Sequence, residues 1–138
     1  MTPRDTRTGG VLEAMIVPAL DRGGYDHQIQ AVIGTRLGGR KHKVDCIATK
    51  ASRRILISLK WQQSGGTAEQ KVPFEVMCLA EARSTEGYDA AYLVLGGDGW
   101  TLRDYYISGE LKKHLTHAEF VNVVTLERFI AMANKGEI

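Results

Sequence analysis

Three features of the chain predict a mixed α/β fold, a β-sheet core flanked by helices on both faces. In residues 53–62, RRILISLKWQ, the apolar Ile55, Ile57, Leu59 and Trp61 alternate with Leu56, Ser58, Lys60 and Gln62, as in a strand with one face in a core. In residues 90–97, AAYLVLGG, the apolar run is unbroken, as in a central strand covered on both sides. Around these runs lie segments with helical spacing. The expected order is α, β, β, α, β, α, β, α, within one domain spanning residues 1–138.

Residues 1–10 are polar and read as a loose lead-in. From residue 11 the spacing predicts a helix with Val11, Leu12, Met15 and Ile16 as its apolar stripe and Glu13 off it. Pro18 and Gly23-Gly24 interrupt it, so residues 25–39 read as a shorter helix or an irregular stretch. HKVDCIATK and RRILISLKWQ follow as two strands of a tight hairpin turning through ATKAS. QSGGT reads as a turn, and Thr67 with Gln70 offers a capping box. Pro73 suits a first helical position, so the main helix is expected over residues 73–83, burying Val76, Met77, Leu79 and Ala80. After the central strand come a turn at DGWT, a helical segment in LRDYYISGELKKHL, a last strand in EFVNVVTL and a C-terminal helix.

The 138 residues are 43% hydrophobic and 25% charged, the balance of an ordinary soluble globular protein. The sequence shows neither a signal-peptide run nor a membrane span, and Cys46 and Cys78 read as reduced, buried thiols. A cytoplasmic location is the expectation, and the small size is compatible with a phage or mobile-element origin. The net charge of +2 conceals an asymmetry, because residues 1–60 carry eleven Lys/Arg against five Asp/Glu. Arg36, Arg40, Lys41, Lys43, Lys50, Arg53 and Arg54 surround one acid, Asp45. Such a field attracts a polyanion such as nucleic acid, and the cations, with Arg4 and Arg7, are candidate phosphate contacts. A solvated basic face is the alternative.

The candidate chemistry lies on the polar face of the second hairpin strand. Asp45 in the first strand and Lys60 near the end of the next can sit side by side. A carboxylate there is a hard oxygen ligand suited to Mg²⁺ (or Mn²⁺). A lysine beside it would neutralise charge on a scissile phosphate or hold the attacking water. Ser58 stands two residues before Lys60, where a second acid would complete the arrangement.

Asp45 followed by Ser58-Leu59-Lys60 and then a helix resembles the PD-(D/E)XK nuclease superfamily, whose members include restriction endonucleases and Holliday junction resolvases. The family pattern is an aspartate, then acid-x-lysine on the next strand. Here Val44 replaces the proline before the aspartate and Ser58 replaces the acid. The resemblance implies a restriction endonuclease-like sheet core and a Mg²⁺-dependent DNA endonuclease. It also implies, as in a serine-bearing variant of the family, a second acid displaced to the following helix. Glu75, fifteen residues after Lys60, fits that role, with Glu69, nine residues after, as competitor and first-turn cap. By the same resemblance Gln62 matches a glutamine past the lysine, and Glu13 an acid on the first helix. The implied catalytic set is Asp45, Lys60, Glu75, Gln62 and Glu13, with Asp45, Glu75 and Glu13 as metal ligands. Cutting both strands needs two sites, so a homodimer or homotetramer is expected.

Each residue also has a structural reading. Lys60 is then a solvent-side strand residue, Asp45 a partner of Arg40 or Arg54, and Glu13 and Gln62 ordinary surface polar groups. Ser58 in the acid slot also supports a rival function, a catalytically inactive nuclease-like fold that binds nucleic acid as an accessory module. A third reading is an interaction domain without nucleic acid. His114 and His117 lack companions with zinc-ligand spacing, GGDGW lacks the lysine of a phosphate loop, and Ser58 and Ser64 lack a nearby histidine.

Overall fold

The computed structural model describes residues 7–63 and 68–138. The expected turn through residues 63–67, the Thr67 cap and the Arg4 phosphate contact therefore fall wholly or partly outside the described residues, as does the side chain of Arg7. The chain opens with α1 (Arg7–Val11), one π-helical turn (Leu12–Ile16) and α2 (Val17–Arg22). Strands β1 (Asp26–Thr35), β2 (Lys41–Lys50) and β3 (Arg53–Trp61) follow as an antiparallel meander. Helix α3 (Ala68–Glu86) crosses to β4 (Ala90–Gly96), parallel to β3. Then α4 (Arg103–Ile107) and two 3₁₀ turns lead to β5 (Asn122–Thr125), parallel to β4, and α5 (Leu126–Asn134). The sheet order is β1-β2-β3-β4-β5, a mixed sheet with helices on both faces, as the sequence predicts.

Alternation along β3 and β4 divides the core in two. Ile55, Ile57, Leu59, Tyr92 and Val94 pack with Leu12, Ile16, Leu20 and Phe129 on one face. Leu56, Leu93 and Leu95 pack with Val72, Val76 and Leu79 of α3 on the other. β4 is buried along its whole length, which is why its sequence is apolar without a period.

Three expectations are corrected. Residues 26–35 form the edge strand β1, where a short helix or irregular stretch was expected. Only Ala31 and Ile33 of that strand are buried, so its alternation is faint. Helix α3 starts five residues before Pro73 and holds the proline in its interior. Finally, Met15 and Met77 are 44% and 39% exposed, where both were expected to be buried. The π-helical turn at Leu12–Ile16 shifts the phase of the first stripe, leaving Leu12 and Ile16 as its buried residues.

Candidate active site

Strand β2 brings Asp45 to the place where its ladder with β3 ends, at the Cys46–Ile57 pair. Beyond that pair a side chain replaces the backbone acceptor, because the Leu59 amide donates to Asp45 Oδ2 at 2.7 Å. Leu59 points into the α1/α2 core, so Ser58 and Lys60 point toward α3. From that helix Glu75 reaches back and is itself buried, 7% exposed. Ser58 Oγ donates to Glu75 Oε1 at 2.9 Å, and Lys60 Nζ lies 3.9 Å from Glu75 Oε2. Burial pushes the Asp45 carboxyl above its ordinary value and the Glu75 charge adds to this. The Leu59 amide, the Lys60 ammonium and the Ser58 hydroxyl oppose it. Asp45, Ser58, Lys60 and Glu75 therefore form one electrostatic cluster on the α3 side of the sheet.

Glu69 and Gln62 belong to a separate knot. The Glu69 carboxylate accepts from the Thr101 amide, from Thr101 Oγ1 at 2.7 Å and from the Leu102 amide at 3.1 Å. Gln62 is buried, donating Nε2 to the Gly99 carbonyl at 2.8 Å and accepting from the Glu69 amide at 3.2 Å. Both groups staple the loop after β4 to the start of α3. Gln62 is thus not the surface polar group of its structural reading, and both ends of its amide are occupied by the protein. Asp45 makes no ion pair with Arg40 or Arg54 among the described residues; its charged neighbours are Lys60 and Glu75. Glu13 is exposed on the π-helical turn, whose Leu12 and Ile16 pack on the sheet face opposite α3. The structure does not bring it into the cluster.

The candidate phosphate contacts are split. Arg40, Lys41 and Lys43 are exposed along the connection into β2 and its first half, and Arg36 stacks on Phe74, 5.7 Å from the ring centre. Arg53 and Arg54 lie at the other end of β3, roughly 20 Å from Lys60 along the strand. There Arg53 donates to the Ile138 carbonyl at 3.2 Å, and Arg54 sits 4.2 Å over the Tyr88 ring. His114 and His117 line a cavity of about 480 Å³ against α3 with Glu81 and Ser84. No group of three potential metal ligands gathers there or elsewhere among the described residues.

One residue escapes the motif. His42, three residues before Asp45, is 1% exposed, and neither of its ring nitrogens has a hydrogen-bond partner. It alternates with the exposed Lys41 and Lys43, so the period-two reading of β2 could have turned it inward.

The donor chemistry suits a divalent cation. Asp45 and Glu75 each commit one oxygen to the protein and keep one outside those bonds, and burial leaves the Asp45 charge undercompensated. Mg²⁺ commonly takes one or two carboxylates and keeps several waters, so two acids meet its needs.

A family model for the PD-(D/E)XK nuclease superfamily domain matches residues 4–137. The chain belongs to the PD-(D/E)XK nuclease superfamily. A further similarity is to the crystal structure of AF1548, a protein of unknown function. It has a TM-score of 0.47 and 10% identity, and covers 80% of this chain and 54% of that one. The chain thus spans about half the length of that protein. No curated protein matches. Nuclease superfamilies of this kind generally use divalent metals, which agrees with the paired carboxylates. Among the described residues no helix is long and apolar enough to cross a membrane.

Proposed function

We propose that this PD-(D/E)XK domain is a metal-dependent DNA endonuclease in which Asp45 and Glu75 hold Mg²⁺ or Mn²⁺ and Lys60 serves the reaction directly. The observation that carries the reading is the convergence of Asp45 from β2, Lys60 from β3 and Glu75 from α3, with Ser58 hydrogen-bonded to the glutamate. Ser58 in the acid slot, the main support for an inactive accessory module, here orients the displaced acid.

A bound divalent ion would polarise a phosphoryl oxygen and lower the pKa of a water. Lys60 would set its ammonium against the charge that develops on the phosphate as water oxygen bonds to phosphorus and the bond to the leaving sugar oxygen breaks. Leu59 and Ser58 hold the two carboxylates in place. Arg40, Lys41 and Lys43, with Arg36, would hold neighbouring phosphates, which supplies affinity without sequence information. Two copies of the chain would supply the two sites that a double-strand cut or a four-way junction needs.

The test is relaxation of supercoiled plasmid with Mg²⁺. Asp45→Ala and Lys60→Ala should each lower the rate by about 10²–10⁴ while DNA binding measured with Ca²⁺ is retained. Plasmid binding without nicking by the wild type would favour the accessory-module reading, and cleavage surviving both substitutions would end the present one.

A further inference from the structure

His42 stands out among the buried polar side chains near the cluster. Gln62, Glu69, Ser58 and Glu75 all have partners, whereas both nitrogens of the His42 ring have none. A buried polar group in that state is destabilising, and the surrounding core of Ala31, Ile33 and Val44 could be completed by an apolar ring of the same size. A structural role for packing alone therefore does not explain an imidazole.

Its position does. His42 lies two residues before Val44 and so faces α3, the side from which Glu75 approaches. The charges it senses are Glu75, Arg36 and Lys60. Burial, the largest influence, lowers its pKa and favours the uncharged ring, with Glu75 opposing and the two cations adding to the effect. An uncharged imidazole offers one donor and one acceptor. Yet His42, Asp45 and Glu75 do not gather closely enough to ligate one ion directly.

We propose that His42 is a positioning residue whose ring nitrogen holds a water carried by the divalent ion between Asp45 and Glu75. This rests on the ion site proposed above. The ring then finds, in the loaded protein, the hydrogen bond that the polypeptide does not give it. Outer-layer partners of this kind commonly change metal affinity by about 10–100-fold.

His42→Phe removes both nitrogens and keeps the ring volume, and His42→Gln keeps one donor and one acceptor. Thermal melting without metal, Mn²⁺ titration by calorimetry without DNA, and plasmid-nicking kinetics are compared with wild type. The expected result for His42→Phe is an unchanged or raised melting temperature, Mn²⁺ affinity weakened by about tenfold or more, and a fall in kcat larger than any rise in KM. His42→Gln should recover part of the Mn²⁺ affinity. A lowered melting temperature for His42→Phe would show that the protein itself uses the ring and would overturn the proposal. So would wild-type Mn²⁺ affinity in that variant, with the ion site left intact. If folded wild type binds no Mn²⁺, the ion site itself fails and takes this role with it.

Discussion

At the scale of single residues, two glutamates on the same helix do opposite work, and their surroundings say which is which. Glu75 faces an ammonium and a hydroxyl, with one oxygen outside the protein's own hydrogen bonds. Glu69 spends both oxygens on the loop after β4. Burial raises the Glu69 carboxyl, but the bonds from Thr101 and Leu102 together outweigh it and hold the group below its ordinary 4.5. A carboxyl with a lower pKa folded than unfolded adds stability that is complete above the unfolded value and lost as pH falls through the folded one. Glu69→Gln should therefore cost about 1–2 kcal/mol at neutral pH, and the gap should close as the solution is acidified below 4.5. Melting curves of both proteins at neutral pH and about pH 3 test this; an equal gap at both would discount the ionised form. Ser58→Ala acts at the other glutamate. It leaves a buried carboxylate oxygen without its donor, so it should cost about 1–3 kcal/mol of stability together with about tenfold or more in cleavage rate. Lys60 was legible because β-strand alternation fixes where its side chain points. Asp45 was legible only as a neighbour across the hairpin, since the alternation of β2 breaks there, with Val44 in the α3-side core and Cys46 in the other. The role of Glu69 was only half legible, since its partners lie 32 and 33 residues away in sequence.

Among the elements, α3 shows how a local rule is overridden from a distance. Pro73 has no amide hydrogen to give the carbonyl four residues earlier, that of Glu69. Tyr106 of α4 supplies the missing donor, its hydroxyl lying 2.8 Å from the Glu69 carbonyl. The helix can then run through the proline, which the sequence alone places at a helix start. Glu75 consequently sits two turns into the helix, over Ser58, instead of at its mouth. Tyr106→Phe should cost about 1–3 kcal/mol because it leaves a buried carbonyl unpaired. In a Pro73→Ala background the restored amide should take that carbonyl, and the cost should fall to a small fraction. Urea unfolding of the four proteins of the cycle measures the coupling, and additive costs would reject it. β1 was hidden for a related reason. It is an edge strand with two buried side chains, so its pairing to β2 carries the assignment and its pattern does not.

For the whole molecule, the fold turns an uneven charge sequence into an uneven surface. The seven cations between Arg36 and Arg54 look like one patch when read along the chain. Folding divides them between the two ends of the β2–β3 hairpin. The end that enters β2 carries Arg40, Lys41 and Lys43 exposed, on the strand that also holds Asp45. The turn end carries Lys50, which donates to the Gly23 carbonyl at 2.8 Å, together with Arg53 and Arg54, already engaged by Ile138 and Tyr88. Sequence reading found the net attraction for a polyanion but not this division, because only the strand pairing reveals which cations share an end. Phosphate binding releases counterions in proportion to the contacts made, so the logarithm of affinity falls with the logarithm of salt by about 0.9 per contact on duplex DNA. Replacing Arg40, Lys41 and Lys43 together by Ala should flatten that slope by about 2–3 and weaken binding evenly across sequences. Arg53→Ala should leave the slope as it is and instead lower thermal stability, since its bond ties β3 to the end of the described chain. Fluorescence anisotropy of a labelled duplex over a salt series reads the first effect and a melting curve the second. Equal flattening by both variants would mean that DNA runs along the full length of the hairpin, and the site would have to be oriented afresh.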